Sequence, residues 1–64
     1  MITMYNVGET VIDTKKDSTG TVCGTIEYSS PIMYVLEDND GNYYLQSEDN
    51  LLEYTRENMN KLGW

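Results

Sequence analysis

The spacing of turn-forming residues constrains the fold of this chain more than any other feature of its sequence. Clusters of glycine, proline, serine, aspartate and asparagine recur about every eight to twelve residues along the 64-residue chain. The short segments between these clusters are rich in β-branched and aromatic residues, which favour strands. We therefore predict a mainly β fold, with the strand spacing of a small sandwich or barrel.

The size of the chain allows at most one domain. We expect a single domain over residues 1–64. One cysteine, Cys23, excludes an intramolecular disulfide, and the lack of histidine excludes the usual Cys/His zinc site. We expect no cofactor and no metal, so packing alone must stabilise the fold, which leaves a homodimer open.

The strand and turn patterns give explicit boundaries. The predicted strands are residues 10–14, 21–28, 32–36, 42–47 and about 52–54. A polar loop is predicted at 15–20, a tight hairpin at 38–41, and a single helical turn at 47–51 that Ser47 can cap. The segment 32–36 is apolar without alternation, so we expect it to be covered on both faces.

The second strand has a glycine at its centre. Alternation places Val22, Gly24, Ile26 and Tyr28 on one face, and a glycine in mid-strand often marks a bulge, so we expect a bend at Gly24. Cys23 is expected to be half-buried and without chemistry. We predict that the core includes the aliphatic residues Val11, Val22, Ile26, Val35, Leu45 and Leu51.

The C-terminal segment has two interpretations. In one, Thr55 caps a short helix that carries a Glu57–Lys61 pair and ends at Gly63. In the other, a single helix runs over residues 50–62. The sequence leaves both open.

Several short motifs follow one another in a fixed order between Val7 and Tyr54. They are Val7-Gly8-Glu9-x-Val11, Gly20-Thr21-Val22, Tyr34-x-Leu36, Asp40-Gly41 and Glu48-Asp49-Asn50-Leu51. Their order resembles that of SH3-like small barrels, the fold of KOW and Tudor domains. The resemblance implies a five-stranded SH3-like small barrel at about residues 7–54, closed through a short helical turn and followed by a short C-terminal helix or tail at 55–64. Such barrels bind proteins, peptides, nucleic acids or modified residues, so the fold alone implies no particular function. Small acidic barrels similar to this chain also occur among phage and mobile-element proteins.

Charge and hydropathy exclude several classes of function. The formal charge of −7 opposes direct binding to nucleic acid. The longest apolar stretch, residues 31–36, is far shorter than the roughly 20 residues of a membrane helix, so we expect no membrane insertion and a cytoplasmic protein. No histidine is present to activate Cys23, and we expect no enzymatic activity. An EF-hand reading of the hairpin fails because Leu36 and Ser47 would occupy the first and last ligand positions.

Acidic residues and tyrosines are the remaining candidates for a binding surface. Six tyrosines are present, and the adjacent Tyr43 and Tyr44 must point to opposite faces of one strand, so at least one lies outside the core. A solvated face would account for the acids, but the sharper hypothesis is a surface that docks on a basic protein. The predicted partner-binding residues are Glu37, Asp38, Asp40, Tyr44, Glu48, Asp49, Glu53 and Tyr54.

We therefore expect a protein-binding module with a basic partner, with a phage or mobile-element inhibitor that mimics nucleic acid as one form of it. Two alternatives remain open at the level of the sequence. One is a structural barrel that self-associates, and the other is a KOW-like nucleic-acid-binding domain.

Overall fold

The fold is one antiparallel sheet with a short helix after it. The computed structural model describes residues 4–64. Its elements are β1 (Thr10–Asp13), β2 (Ser18–Ile26), β3 (Met33–Glu37), β4 (Tyr43–Ser47), a 3-10 turn (Glu48–Asn50), β5 (Leu51–Glu53) and α1 (Arg56–Lys61). The predicted mainly β class is confirmed, and every predicted strand is present.

The strand order in the sheet is β4-β3-β2-β1-β5. Within residues 4–64, β4 pairs only with β3 and β5 only with β1. The sheet is therefore not closed into a barrel by backbone pairing, which corrects the predicted barrel. No helix in this part of the chain is long and apolar enough to cross a membrane.

The turn between β1 and β2 is tighter than the predicted loop at residues 15–20. The Asp13 carboxylate accepts the backbone N–H groups of Lys15 (3.0 Å) and Lys16 (3.1 Å). Asp17 takes a positive φ of 55°, a conformation that aspartate tolerates better than most residues. The chain reverses at once, so β2 begins at Ser18, opposite Asp13.

A bulge in β2 confirms the predicted irregularity near Gly24. Val22 pairs with Leu36 whereas Gly24 pairs with Val35, so Cys23 is the extra residue. One extra residue reverses the alternation. Val22 therefore lies in the core while Ile26 is only half-buried, and Cys23 is exposed rather than half-buried.

The core differs from the predicted set for the same reason. Its largest cluster of buried members is Tyr5, Val11, Val22, Ile32, Tyr34, Leu36 and Leu51, and Ile12 is fully buried outside this cluster. Three predicted residues, Val11, Val22 and Leu51, are confirmed. The prediction is wrong for Ile26 and Val35, which are half-buried, and for Leu45, which is exposed. Because Tyr34 and Leu36 point into the core, Val35 and its cross-strand partner Leu45 must point to the other side, so β3 is not covered on both faces.

Two tyrosine rings fill the space that aliphatic residues were predicted to occupy. The rings of Tyr5 and Tyr34 meet edge to face, with centroids 5.3 Å apart. The Tyr5 hydroxyl donates to the carbonyl of Leu51 (3.2 Å), and burial raises the pKa of Tyr5. The hydroxyl of Tyr34 accepts the backbone N–H of Met4 (3.0 Å). Each buried ring therefore has a partner for its polar end.

The C-terminal segment follows the first of its two interpretations. A single helix over residues 50–62 is wrong, because Leu51–Glu53 pairs with β1. The side chain of Thr55 caps α1 by accepting the N–H of Asn58 (3.2 Å). After the helix, the indole Nε1 of Trp64 donates to Asp17 Oδ1 (3.0 Å). The segment therefore returns to the turn between β1 and β2.

Candidate binding surface

The face of β2, β3 and β4 that points away from the core is the candidate surface, and we call it the open face. Strand register places nine residues on it in three rows: Thr21, Glu37 and Tyr43; Gly24, Val35 and Leu45; Ile26, Met33 and Ser47. None of the nine is buried. On the other side of the same strands, by contrast, Val22, Leu36, Tyr34 and Gln46 are all buried. Tyr43 and Leu45 are exposed and the other seven are half-buried, so within residues 4–64 no element buries the open face.

The middle of the open face is apolar. On β4, Tyr43 is 66% exposed and Leu45 is 53% exposed. Val35 lies directly opposite Leu45 on β3, with the half-buried Met33 and Ile26 in the next row. Scattered exposed apolar residues are ordinary on proteins, whereas large contiguous apolar patches on one face are typical of interaction sites.

Acidic residues border this apolar centre. Glu37 lies on the open face opposite Tyr43. Asp38 and Asp40 lie in the hairpin before β4, and Glu48 and Asp49 lie in the 3-10 turn after it. No lysine or arginine occupies any of the nine positions. The open face is therefore an apolar strip with negative charge at both ends of β4.

Asp38 already has a role within the hairpin. Its Oδ1 accepts the backbone N–H groups of Asp40 and Asn42, both at 2.9 Å, and Lys16 Nζ lies 3.9 Å from its Oδ2. The hydrogen bond from Asn42 is the main cause that lowers the pKa of Asp38. The Asp38 carboxyl thus stays ionised below the pH at which an ordinary aspartate takes up a proton, and its hydrogen bonds stabilise the turn.

A second group of polar side chains lies beneath β4, on the core side, and joins it to β1. The buried Asp13 accepts hydrogen bonds from the hydroxyl of Tyr44 (2.8 Å) and from Nε2 of Gln46 (3.1 Å at Oδ2). In turn, Gln46 Oε1 accepts from Asn50 Nδ2 (2.9 Å). We call Asp13, Tyr44, Gln46 and Asn50 the polar latch. Because β2 and β3 separate β1 from β4 in the sheet, these hydrogen bonds form only if the sheet curls enough to bring β1 and β4 close together.

Tyr44, one of the predicted binding residues, is part of the polar latch and does not lie on the open face. Its ring is half-buried, and Lys16 Nζ lies 3.9 Å from the ring centroid, a cation–π contact. Burial is the first cause that raises the pKa of Tyr44, followed by its hydrogen bond to Asp13. The phenol therefore stays protonated and donates to Asp13 throughout the physiological range.

The structure does not bring all of the predicted binding residues together. The hairpin acids Asp38 and Asp40 lie at one end of β4, and Glu48 and Asp49 lie at the other. Glu53 and Tyr54 lie at β5, on the opposite edge of the sheet. Glu37 is the one acid of the set on the open face itself.

Sequence reasoning missed both the latch and the apolar centre of the open face. The latch depends on a contact between residues more than thirty positions apart, as between Asp13 and Tyr44, which no local pattern encodes. The open face was missed because Leu45 and Val35 were assigned to the core. The alternation of Tyr43 with Leu45 on β4 was the available signal, since the two must share a face.

The described part of the chain has no group of three potential metal ligands and no pocket. Comparison with protein-family models, with curated proteins and with solved structures finds no match to this chain. Any function of this chain is therefore to be sought in the geometry of its surface.

Proposed function

We propose that this chain is a non-enzymatic, SH3-like protein-binding module that presents the open face to a basic protein partner. The observation that carries the proposal is the uncovered apolar strip of Tyr43, Leu45 and Val35 with acids at both ends of its strand. Aromatic and aliphatic side chains supply the burial, and the acids select a partner whose binding site is ringed by lysine or arginine.

Two features support the SH3-like assignment. The strand order β4-β3-β2-β1-β5 and the bulge in β2 agree with a sheet that curls around one core. The 3-10 turn between β4 and β5 lies where the resemblance implies a short helical turn. Since SH3-like barrels serve many functions, the open face and not the fold carries the proposal.

The net charge favours a basic partner over the two alternatives. A charge of −7 on a chain of 64 residues attracts basic surfaces and speeds their association. The same charge repels nucleic acid, and it opposes self-association because each copy carries it. An inhibitor that occupies a basic nucleic-acid-binding groove would use a surface of this kind.

Selection from a random peptide library on the immobilised protein tests the proposal. We expect enrichment of peptides that combine lysine or arginine with apolar residues, and loss of their binding at about 0.5 M salt, where exposed charges are screened. The test variant is Tyr43→Lys/Leu45→Lys, which changes only exposed positions of the open face. The matched control is Tyr54→Lys, which changes an exposed tyrosine beyond the other edge of the sheet.

The control variant should bind the enriched peptides like the unaltered protein, and the double variant should not. Equal binding to the double variant, with its fold verified by circular dichroism, would refute the open face as the binding surface.

A further inference from the structure

We infer that the partner binds as an added β-strand along the free edge of β4, through an extended segment with apolar residues at its centre and basic residues at both ends. This inference rests on the proposed function and specifies how the open face is used.

The hydrogen bonds at the two ends of the β3–β4 ladder fix which backbone groups face outward. Asp38 N–H donates to the carbonyl of Asn42, and Glu48 N–H donates to the carbonyl of Ile32, both at 2.9 Å. Pairs in an antiparallel ladder alternate between hydrogen-bonded and non-hydrogen-bonded. Within β4, Tyr44 and Gln46 therefore form backbone hydrogen bonds to β3. Tyr43, Leu45 and Ser47 do not.

Tyr43 and Leu45 are the residues that present unpaired backbone groups. They occupy non-hydrogen-bonded positions opposite Glu37 and Val35, so their N–H and C=O groups point away from β3. No strand within residues 4–64 pairs with that side of β4. The next outward N–H, that of Ser47, is taken by Gln46 Oε1 (3.0 Å). The free edge thus offers two donors and two acceptors, two residues apart, which is the pattern of an extended strand.

The same two residues have their side chains on the open face. A strand added at this edge would place its own residues opposite Tyr43 and Leu45 on that face, where apolar cross-strand neighbours stabilise the pairing. Beyond the ends of β4 the strand would reach Asp40 at the hairpin and Asp49 at the 3-10 turn, both exposed. Basic residues at both ends of the added strand therefore complement the edge.

A second copy of the chain fits this edge less well. If the β4 strands of two copies paired antiparallel through all of these free N–H and C=O groups, Tyr43 of each copy would lie opposite Leu45 of the other. The same register would set Asp40 of each copy opposite Glu48 of the other. Like charges that face each other across strands are destabilising, so the charge pattern favours a foreign basic strand over self-pairing.

The test uses a short synthetic peptide with two lysines at each end and alternating threonine and valine between them, and a matched peptide with glutamates in place of the lysines. At low salt the lysine peptide should bind and should slow hydrogen exchange at the amides of Tyr43 and Leu45. Two further versions of the lysine peptide carry N-methyl groups on alternate residues, in one or the other of the two possible phases. When the methylated amides are those that face β4, binding should weaken at least about fivefold, because each methyl group blocks a backbone hydrogen bond. Methylation in the other phase should leave affinity within about twofold.

The protein-side test is Leu45→Pro against Leu45→Thr. Proline removes an outward N–H and no hydrogen bond to β3, a position that edge strands tolerate, whereas threonine keeps the N–H. We expect the proline variant to bind the lysine peptide at least about fivefold more weakly than the threonine variant. If circular dichroism shows that the proline variant is unfolded, the comparison of the two methylated peptides decides whether the partner pairs with β4.

Two different failures are distinguishable. Binding that is lost in Tyr43→Lys/Leu45→Lys but is the same for both methylation phases overturns strand addition and leaves the proposed function standing. A lysine peptide that binds no better than the glutamate peptide, or equally well to the double variant, overturns both.

Discussion

Asp13 is a buried carboxylate whose hydrogen-bond partners are all uncharged. Two backbone N–H groups, the Tyr44 hydroxyl and the Gln46 amide donate to it. The ammonium of Lys16 instead lies 3.9 Å from the carboxylate of Asp38 and over the Tyr44 ring. Burying a charge is costly unless hydrogen bonds compensate, so the full set of donors explains how this residue is accommodated.

Asp13→Asn should therefore destabilise the protein although it preserves the size of the side chain. The amide NH₂ would replace an acceptor oxygen and face donors from Tyr44, Gln46 or the turn, and the unmade bonds should cost about 1–3 kcal/mol in the free energy of unfolding. Urea denaturation followed by circular dichroism measures this. Asp40→Asn, in the exposed hairpin, is the control and should change stability by less than about 0.5 kcal/mol.

The lowered pKa of Asp38 predicts a specific response to acid. A carboxyl whose folded pKa is depressed stabilises the fold above its ordinary pKa of 3.8, and that contribution is lost as the pH falls through the lowered value. Asp38→Asn keeps an acceptor oxygen for the turn but removes the titration. Between about pH 5 and pH 2, unfolding free energy should fall less in this variant than in the unaltered protein. Identical pH profiles would show that the hairpin bonds do not depend on the charge.

At the scale of the element, the sequence predicts where the strands and the bulge in β2 lie, but not on which side of the sheet the residues after the bulge point. Turn chemistry placed every strand, and Gly24 indicated the irregularity, because these signals are local. The side on which each residue lies after the bulge is not local, since Cys23 could have paired in register. This is why Ile26 was assigned to the core, whereas Val22, on the other side of the bulge, was assigned correctly.

The candidate binding surface was predictable only in part. The acids at the two ends of β4 follow from the sequence, because the hairpin and the 3-10 turn are local. The exposure of Leu45 is not, since an aliphatic residue in a strand is more often buried. The latch joins Asp13 to Gln46 across the curl of the sheet, and its partners lie too far apart in sequence to be inferred.

Two neighbouring residues of β3 test the assignment of faces. Leu36 is fully buried, so Leu36→Ala should cost about 2–5 kcal/mol, enough to unfold much of a small domain. Val35→Ala, on the open face, should cost less than about 1 kcal/mol because its side chain is only half-buried. Thermal denaturation of both variants gives the comparison. Similar losses at the two positions would contradict the separation of an inner from an open face.

At the scale of the whole molecule, an open edge and a high charge belong together. A free strand edge invites pairing with other chains, and charged residues at its ends discourage it. Asp40→Asn/Glu48→Gln/Asp49→Asn removes three negative charges around β4 without touching the core. We expect this variant to self-associate at concentrations where the unaltered protein is monomeric in sedimentation. Arg56→Gln, on α1, is the control for changing a surface charge elsewhere.

The hydrogen bond between Trp64 and Asp17 also has a consequence for spectroscopy. The chain has one tryptophan, and its indole lies outside the core, 44% exposed. Asp17→Gly, which removes the carboxylate and tolerates the positive φ of residue 17, should therefore shift tryptophan fluorescence towards that of a solvated indole while the circular dichroism of the strands changes little. Tryptophan emission from this protein measures how firmly the C-terminal helix is attached, and the assembly of the sheet needs a separate probe.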